Sequence, residues 1–489
     1  MLLALFLCLA PPLVVGLHGV GLPVPVGVAA TLLVAGLIAW RRRDLLAVPW
    51  SRAARHPLAG FVWAVAFALT VIQVGRLSVY MNDVERPQFS VDPGDPFRVE
   101  HCCLTAYAES ARMAAEGRPD VYDGNLYRPG GTPRRIGPLT VDMYHYPPPF
   151  LLLPGAVRLV ATDFFEFRRV WFAMQALVLV AGVLLLARWI GAETGRNVAL
   201  AAALLGAYPQ TAWALQMGNF QITAIPVAVL GLAWATARPF PGAAMLAWAT
   251  GAKMFPAMLV VHVVAMRRWK LVAWIAGAGL AIAALTAAVY GPDLFVQFIR
   301  DEMPQLADGS AFPMTEKLRS IPVNFSVYGL AKKLSLLGVD TFDVPTAKRF
   351  AQLYALLLAG LAAWAGFAIR ALAPPPAGPG RLRLAAMWLG IVNLASFAGP
   401  FVGGGYGIVG SAWLLSLLVA GGTTPARRWG WLAVAIPVAG HVLLIPSSGM
   451  AVDPTPAVLW ISVLGQVATI AINVWAVVSG VRQLTGTPR

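Results

Sequence analysis

At 489 residues, with 58% hydrophobic and only 12% charged side chains and a mean hydropathy of +0.69, the chain has too little polar surface for a water-soluble globule. Its net charge of +15 is spread as Arg and Lys over short segments between apolar runs, which suits membrane topology and anionic lipid and not a nucleic-acid-binding patch. Three cysteines, Cys8, Cys102 and Cys103, supply neither a disulfide framework nor metal-ligand spacing, and no chemistry is assigned to them.

Apolar runs long enough to cross a hydrocarbon core of about 30 Å recur from end to end. Spans are expected at 2–20, 22–40, 58–80, 148–162, 169–190, 197–215, 220–237, 241–266, 270–290, 350–372, 384–401, 406–421, 429–446 and 457–480. Backbone groups in lipid need internal partners, so these runs are predicted to be helices. The fourth, sixth and twelfth are short enough to be tilted, broken or re-entrant. The first lacks a basic leading segment and is expected to stay as an anchor instead of being cleaved. The chain thus divides into an anchor at 1–57, a membrane module at 58–290, a polar loop at 291–349 and a second membrane module at 350–489.

Orientation follows from the basic residues of the short loops. Arg41, Arg42, Arg43, Arg52 and Arg55 form one cluster, Arg267, Arg268 and Lys270 another, with Arg381 and Arg383, then Arg427 and Arg428, completing the set. Cytoplasmic termini place all of them inside and leave two long segments outside, 81–147 and 291–349. These carry ten and seven of the 22 acidic residues. Long ordered loops in a compact protein are usually functional.

Within the first loop, Leu104, Ala108, Ala111 and Ala115 recur at helical spacing, which predicts a short helix along the membrane surface ended at Gly117. The same loop holds Asp92, Asp95, Glu100, His101, Arg134, Arg135, Asp142 and His145 among Tyr107, Tyr122, Tyr127, Tyr144 and Tyr146. Carboxylates beside aromatic rings suit a sugar site, where the carboxylate takes a hydroxyl proton and rings stack on apolar sugar faces. The run Tyr144-His145-Tyr146-Pro147-Pro148-Pro149-Phe150 makes a rigid extended entry to the next span, or places its tyrosines in the interfacial belt. Asn219, Gln221 and Lys253 lie in or near spans, and an ionisable group at that depth calls for a partner or a cavity, a phosphate being an attractive one for Lys253. In the second loop Lys317, Arg319, Asn324 and Ser326 suit a lipid-linked phosphate as well as they suit a plain basic loop. No phosphate-binding glycine loop, His-Glu-x-x-His pair or nucleophile triad is present in the sequence, and no metal or cofactor is implied.

The order of these features resembles the polyprenyl-phosphate-dependent glycosyltransferases of the GT-C type, specifically glycosyltransferase family 87, over roughly residues 58–420. The resemblance rests on a span ending near Tyr80, the acidic outer loop, the run Glu116-Gly117-Arg118-Pro119-Asp120-Val121-Tyr122-Asp123 and the Tyr146-Pro147-Pro148 entry. It continues through Gly218 to Gln221, Lys253 and Pro256 before Arg267 and Arg268, and Asn324-Phe325-Ser326. It implies an all-α polytopic bundle of about 12–14 spans with two periplasmic loops, in the bacterial inner membrane. The implied activity is inverting hexosyl or pentosyl transfer from a polyprenyl phosphate to a hydroxyl of a lipid or glycan on the periplasmic face, with a loop acid as base. The chain departs from the family pattern in showing Asn219 before Gln221, Tyr406 where a late-loop histidine is usual, and Cys102 near the usual loop acid. Glu100 is therefore the expected base, with Asp92 and Asp95 as alternatives; Lys253, Arg319 and Lys317 are the expected phosphate ligands, and Tyr144, His145, Asn219, Gln221 and Asn324 the sugar or acceptor contacts. The rival readings are a transporter or flippase of lipid-linked saccharide, disfavoured by the lack of a paired internal repeat, and a non-catalytic scaffold.

Overall fold

The computed structural model describes residues 2–41, 57–117, 120–199, 205–339, 344–421 and 454–486. The fold is all-α, as the apolar runs predict; among the described residues the one sheet is the small antiparallel ribbon Arg135–Ile136 with Leu139–Thr140. Five described helices are long and apolar enough to cross a membrane: those ending at Asn82, Ile190, Tyr290, Ile369 and Thr485. Trp269–Tyr290 shows why the surrounding solvent is lipid. Leu280, Leu285 and Val289 on it are more than half exposed, which water would penalise and acyl chains do not. By contrast Pro379–Ser396 is buried along nearly its whole length.

The fourth and sixth expected spans are interrupted, as their shortness allows, and the eighth is broken where a continuous helix is expected. The 148–162 run begins as a 3-10 turn, Pro148–Leu151, followed by the seven-residue helix Leu152–Arg158. Three consecutive prolines remove the amide donors that a longer helix would need there. The 241–266 run is two helices, Pro239–Ala252 and Ala257–Ala265, because the backbone turns extended at Lys253 ahead of Pro256. Residues 197–215 give the end of Ala192–Val198 and then Pro209–Met217, which bends by 105° into Gln221–Ala235. The span expected at 429–446 lies outside the described residues.

That 105° bend is made by Gly218. Its φ of +70° is left-handed, and a Cβ there would stand 2.3 Å from the Leu104 side chain. Its carbonyl accepts from Trp171 Nε1 at 3.1 Å and Gln175 Nε2 at 3.3 Å, so backbone freed by the bend is still paired. Gly218→Ala is expected to lower stability by at least about 1–3 kcal/mol, through both strain and overpacking. Thermal unfolding of the detergent-solubilised protein, followed by tryptophan fluorescence, checks this; an unchanged midpoint would mean that the bend tolerates relaxation.

The first-loop helix forms at Cys103–Ala115 and stops at Gly117, whose φ is +71°. It does not lie along an open surface, however. Ten of its residues are buried, including Tyr107, Glu109 and Ser110, because it packs on Pro148–Arg158 and Phe164–Ile190 and is crossed by the loop residues Arg134, Thr140 and Asp142. Two backbone bridges then draw distant segments together: His101 pairs with Thr140, and Asn324 with Gly403.

Candidate active site

A cavity of about 580 Å³ opens where both loops meet the two helix breaks and the 395–406 segment. This volume suits a small ligand. One wall is set by the bend. Asn219 follows Gly218, and its Oδ1 accepts from Gln221 N at 3.0 Å and from Lys253 Nζ at 3.4 Å. Asn219 Nδ2 donates to Cys103 Sγ at 3.5 Å. Gln221 is buried, lines the cavity, and leaves its Nε2 without a partner among the described residues. The Lys253 ammonium lies 5.0 Å from the Tyr146 ring centroid and 5.7 Å from that of Tyr406. No carboxylate among the described residues pairs with it, so aromatic faces and one amide are its neighbours. Such a wall is ready for an anionic group and a hydrogen-bond acceptor.

The facing chemistry is acidic. Asp142 Oδ2 lies 3.4 Å from His101 Nδ1, and both residues line the cavity. The strand bridge to Thr140 and the stacking of His101 on Phe97, at 4.7 Å between centroids, hold the imidazole. The Asp142 amide donates to Thr105 Oγ1 at 3.0 Å, and that hydroxyl lies within hydrogen-bond distance of the Cys102 and Thr140 carbonyls. Burial raises the Asp142 carboxyl above its ordinary range, against the opposing pull of His101, His145 and Arg128. A desolvated carboxylate oriented by an imidazole is suited to accept a proton.

His145 closes another side. Its Nδ1 is 2.7 Å from Glu302 Oε1, joining the first loop to a π-helical turn, Phe298–Glu302, of the second. Beyond it the lining is apolar, with Met254, Met258, Met303, Leu306 and Phe312.

Of the residues expected from sequence, His145, Asn219, Gln221 and Lys253 line this cavity. Glu100 is not among the lining residues; it pairs with Arg135 at 2.6 Å on the surface. Asp92 and Asp95 are buried behind the wall, each 3.5 Å from the Arg98 guanidinium, which itself covers the Trp213 ring at 4.7 Å. Asp95 also caps the Pro96–Glu100 turn. Lys317 and Arg319 are exposed, and only Ser320 of their turn reaches the cavity. Tyr144 is buried in an aromatic cluster with Tyr122 and Phe150. Asn324 spends its amide on the Pro400 carbonyl and on the Ser326 and Val402 amides, each at 3.0 Å, and so clips the second loop to the 400–403 segment. Sequence reasoning counted His101 and Asp142 among the polar residues of the loop without giving either a role, and it assigned no chemistry to Cys103.

Compared with known proteins, residues 144–396, just over half of the chain, match the model of glycosyltransferase family 87. The match takes in His145, Asn219, Gln221 and Lys253 and starts two positions after Asp142. No curated protein and no solved structure matches the chain.

Proposed function

This chain belongs to glycosyltransferase family 87 and is a membrane glycosyltransferase, and on that premise we propose that it moves a hexose or pentose from a polyprenyl-phosphate donor to a hydroxyl acceptor, a lipid or glycan, with inversion. The observation that carries this reading is one cavity lined both by a carboxylate beside an imidazole, Asp142, and by an ammonium with no carboxylate partner among the described residues, Lys253. In the reaction Asp142 removes the acceptor hydroxyl proton as the oxygen attacks the anomeric carbon. The bond from that carbon to the phosphate oxygen breaks, and the polyprenyl phosphate leaves with both electrons of the bond. Lys253, with the Gln221 amide, offsets the charge left on the phosphate. One displacement inverts the anomeric centre.

The Met254, Met258, Met303, Leu306 and Phe312 lining offers an apolar path for the first isoprene units, while the remainder of the tail lies in lipid. Met254 and Met303 are more than 40% exposed, so this path is open at its outer end. The basic short loops argue for cytoplasmic termini and hence for a cavity on the periplasmic side of a bacterial inner membrane. A cysteine placed at Gly130, which is exposed, in a background lacking Cys8, Cys102 and Cys103 should label with an impermeant thiol reagent in intact spheroplasts. Labelling only after lysis would invert the orientation.

Purified protein with a labelled polyprenyl-phosphate sugar should release free polyprenyl phosphate in proportion to sugar transferred, and only when acceptor is present. Movement of intact donor between leaflets of a vesicle, with no bond cleavage, would replace transfer with transport.

A further inference from the structure

His101, Cys103 and Asp142 come from three adjoining pieces of the first loop: the residue after the Pro96–Glu100 turn, the first residue of the Cys103–Ala115 helix, and the segment following the small ribbon. One ligand atom from each can be chosen so that all lie within 4.8 Å of one another. His101 Nδ1 and Asp142 Oδ2 are 3.4 Å apart, and His101 Nε2 is 3.9 Å from Cys103 Sγ. A tetrahedral zinc site, with bonds of about 2.0–2.3 Å, needs ligand atoms separated by about 3.3–3.6 Å. These two short distances use opposite nitrogens of the His101 ring, of which one ion takes one, so the three ligand atoms, within 4.8 Å of one another, draw together as the ion binds. The supporting backbone is cross-tied by the His101–Thr140 bridge and the Thr105 hydroxyl, so the three groups are held together before any ion arrives.

We propose that these three side chains bind a single divalent transition-metal ion of the zinc class, and that its occupancy blocks Asp142 as a proton acceptor. Thiolate, imidazole and carboxylate together select a borderline-soft ion over magnesium or calcium, which favour all-oxygen shells. Binding replaces the Cys103 thiol proton, which passes to solvent, with a metal–sulfur bond. The same ion takes up the carboxylate oxygen needed for the acceptor proton. Inhibition of transfer rests on the base role proposed for Asp142, whereas metal binding itself does not.

The test uses cobalt(II) as a spectroscopic stand-in for zinc, added to full-length protein in detergent with excess magnesium. The Cys8→Ala, Cys102→Ala double variant keeps Cys103 as its sole thiol. It should develop a thiolate-to-cobalt charge-transfer band that saturates at one equivalent and is displaced by zinc. Cys103→Ser should abolish the band, and His101→Gln should weaken cobalt binding by at least about tenfold. No band in either the natural chain or the double variant would overturn the site while leaving the transferase reading intact, and so would a band that survives in Cys103→Ser. Where the band forms, zinc at the same concentrations should inhibit sugar transfer; full transfer by the zinc-loaded protein would overturn the blocking role.

Discussion

Asp142→Asn is expected to reduce turnover at least about a hundredfold while expression and donor affinity stay near those of the unaltered chain, because general-base catalysis typically contributes about 10² to 10⁴-fold. The carboxylate stands 3.4 Å from His101 in the cavity, whereas Glu100, on the next residue back, is engaged by Arg135 outside it. Glu100→Gln and Asp92→Asn are therefore the informative controls. A hundredfold loss in Glu100→Gln, with Asp142→Asn active, would assign the base to Glu100. The pH dependence gives an independent check. A base must be deprotonated to act, and burial raises Asp142, so kcat/KM should climb with pH through a midpoint above the ordinary carboxylate range. His101 opposes that rise, so His101→Gln should push the acid limb higher still. A limb at the ordinary carboxylate position would mean that the titrating group is not this half-buried acid.

Lys253→Met should weaken binding of the polyprenyl-phosphate donor by about ten- to a hundredfold, since a hydrogen bond to a charged group is worth about 1.5–3 kcal/mol. Folding should survive. The ammonium has an amide oxygen at 3.4 Å and two aromatic rings around it, so Met, similar in length, leaves no buried carboxylate unpaired. Donor affinity measured by competition against a labelled lipid, alongside the thermal midpoint, separates the two effects. Unchanged affinity in a well-folded variant would remove the phosphate role. A collapse of the midpoint with affinity retained in the surviving fraction would make Lys253 structural.

Much of this was legible in the sequence for identifiable reasons. Lys253, Asn219 and Gln221 stand out because polar groups inside apolar runs are costly, and that cost marks a cavity whatever the tertiary detail. The Cys103–Ala115 helix follows from local spacing and its glycine stop. The choice among loop acids does not follow from local spacing. His101 is extended, with φ −83° and ψ 130°, as it leaves the Pro96–Glu100 turn, so the chain changes direction right after Glu100. Asp142 reaches the same place only through a bridge between residues 101 and 140, a pairing no local pattern announces. Asn324 is the opposite case: an amide suits a sugar hydroxyl and a backbone clip equally, and here it makes three contacts with backbone. The break ahead of Pro256 was written in the residues but averaged away by hydropathy, whereas Gly218 falls in the gap between the spans expected at 197–215 and 220–237.

The contact between His145 and Glu302 also bears on how such an enzyme can change over evolutionary time. Glu302 is only 2% exposed and meets its partner 157 positions away in the chain. Replacing the first loop alone with one that lacks a partner at position 145 would leave the buried Glu302 side chain without this contact, which costs stability. The two loops are thus tied to one another despite the helices between them in the chain, and a substitution at His145 or Glu302 is best tolerated when its partner changes with it.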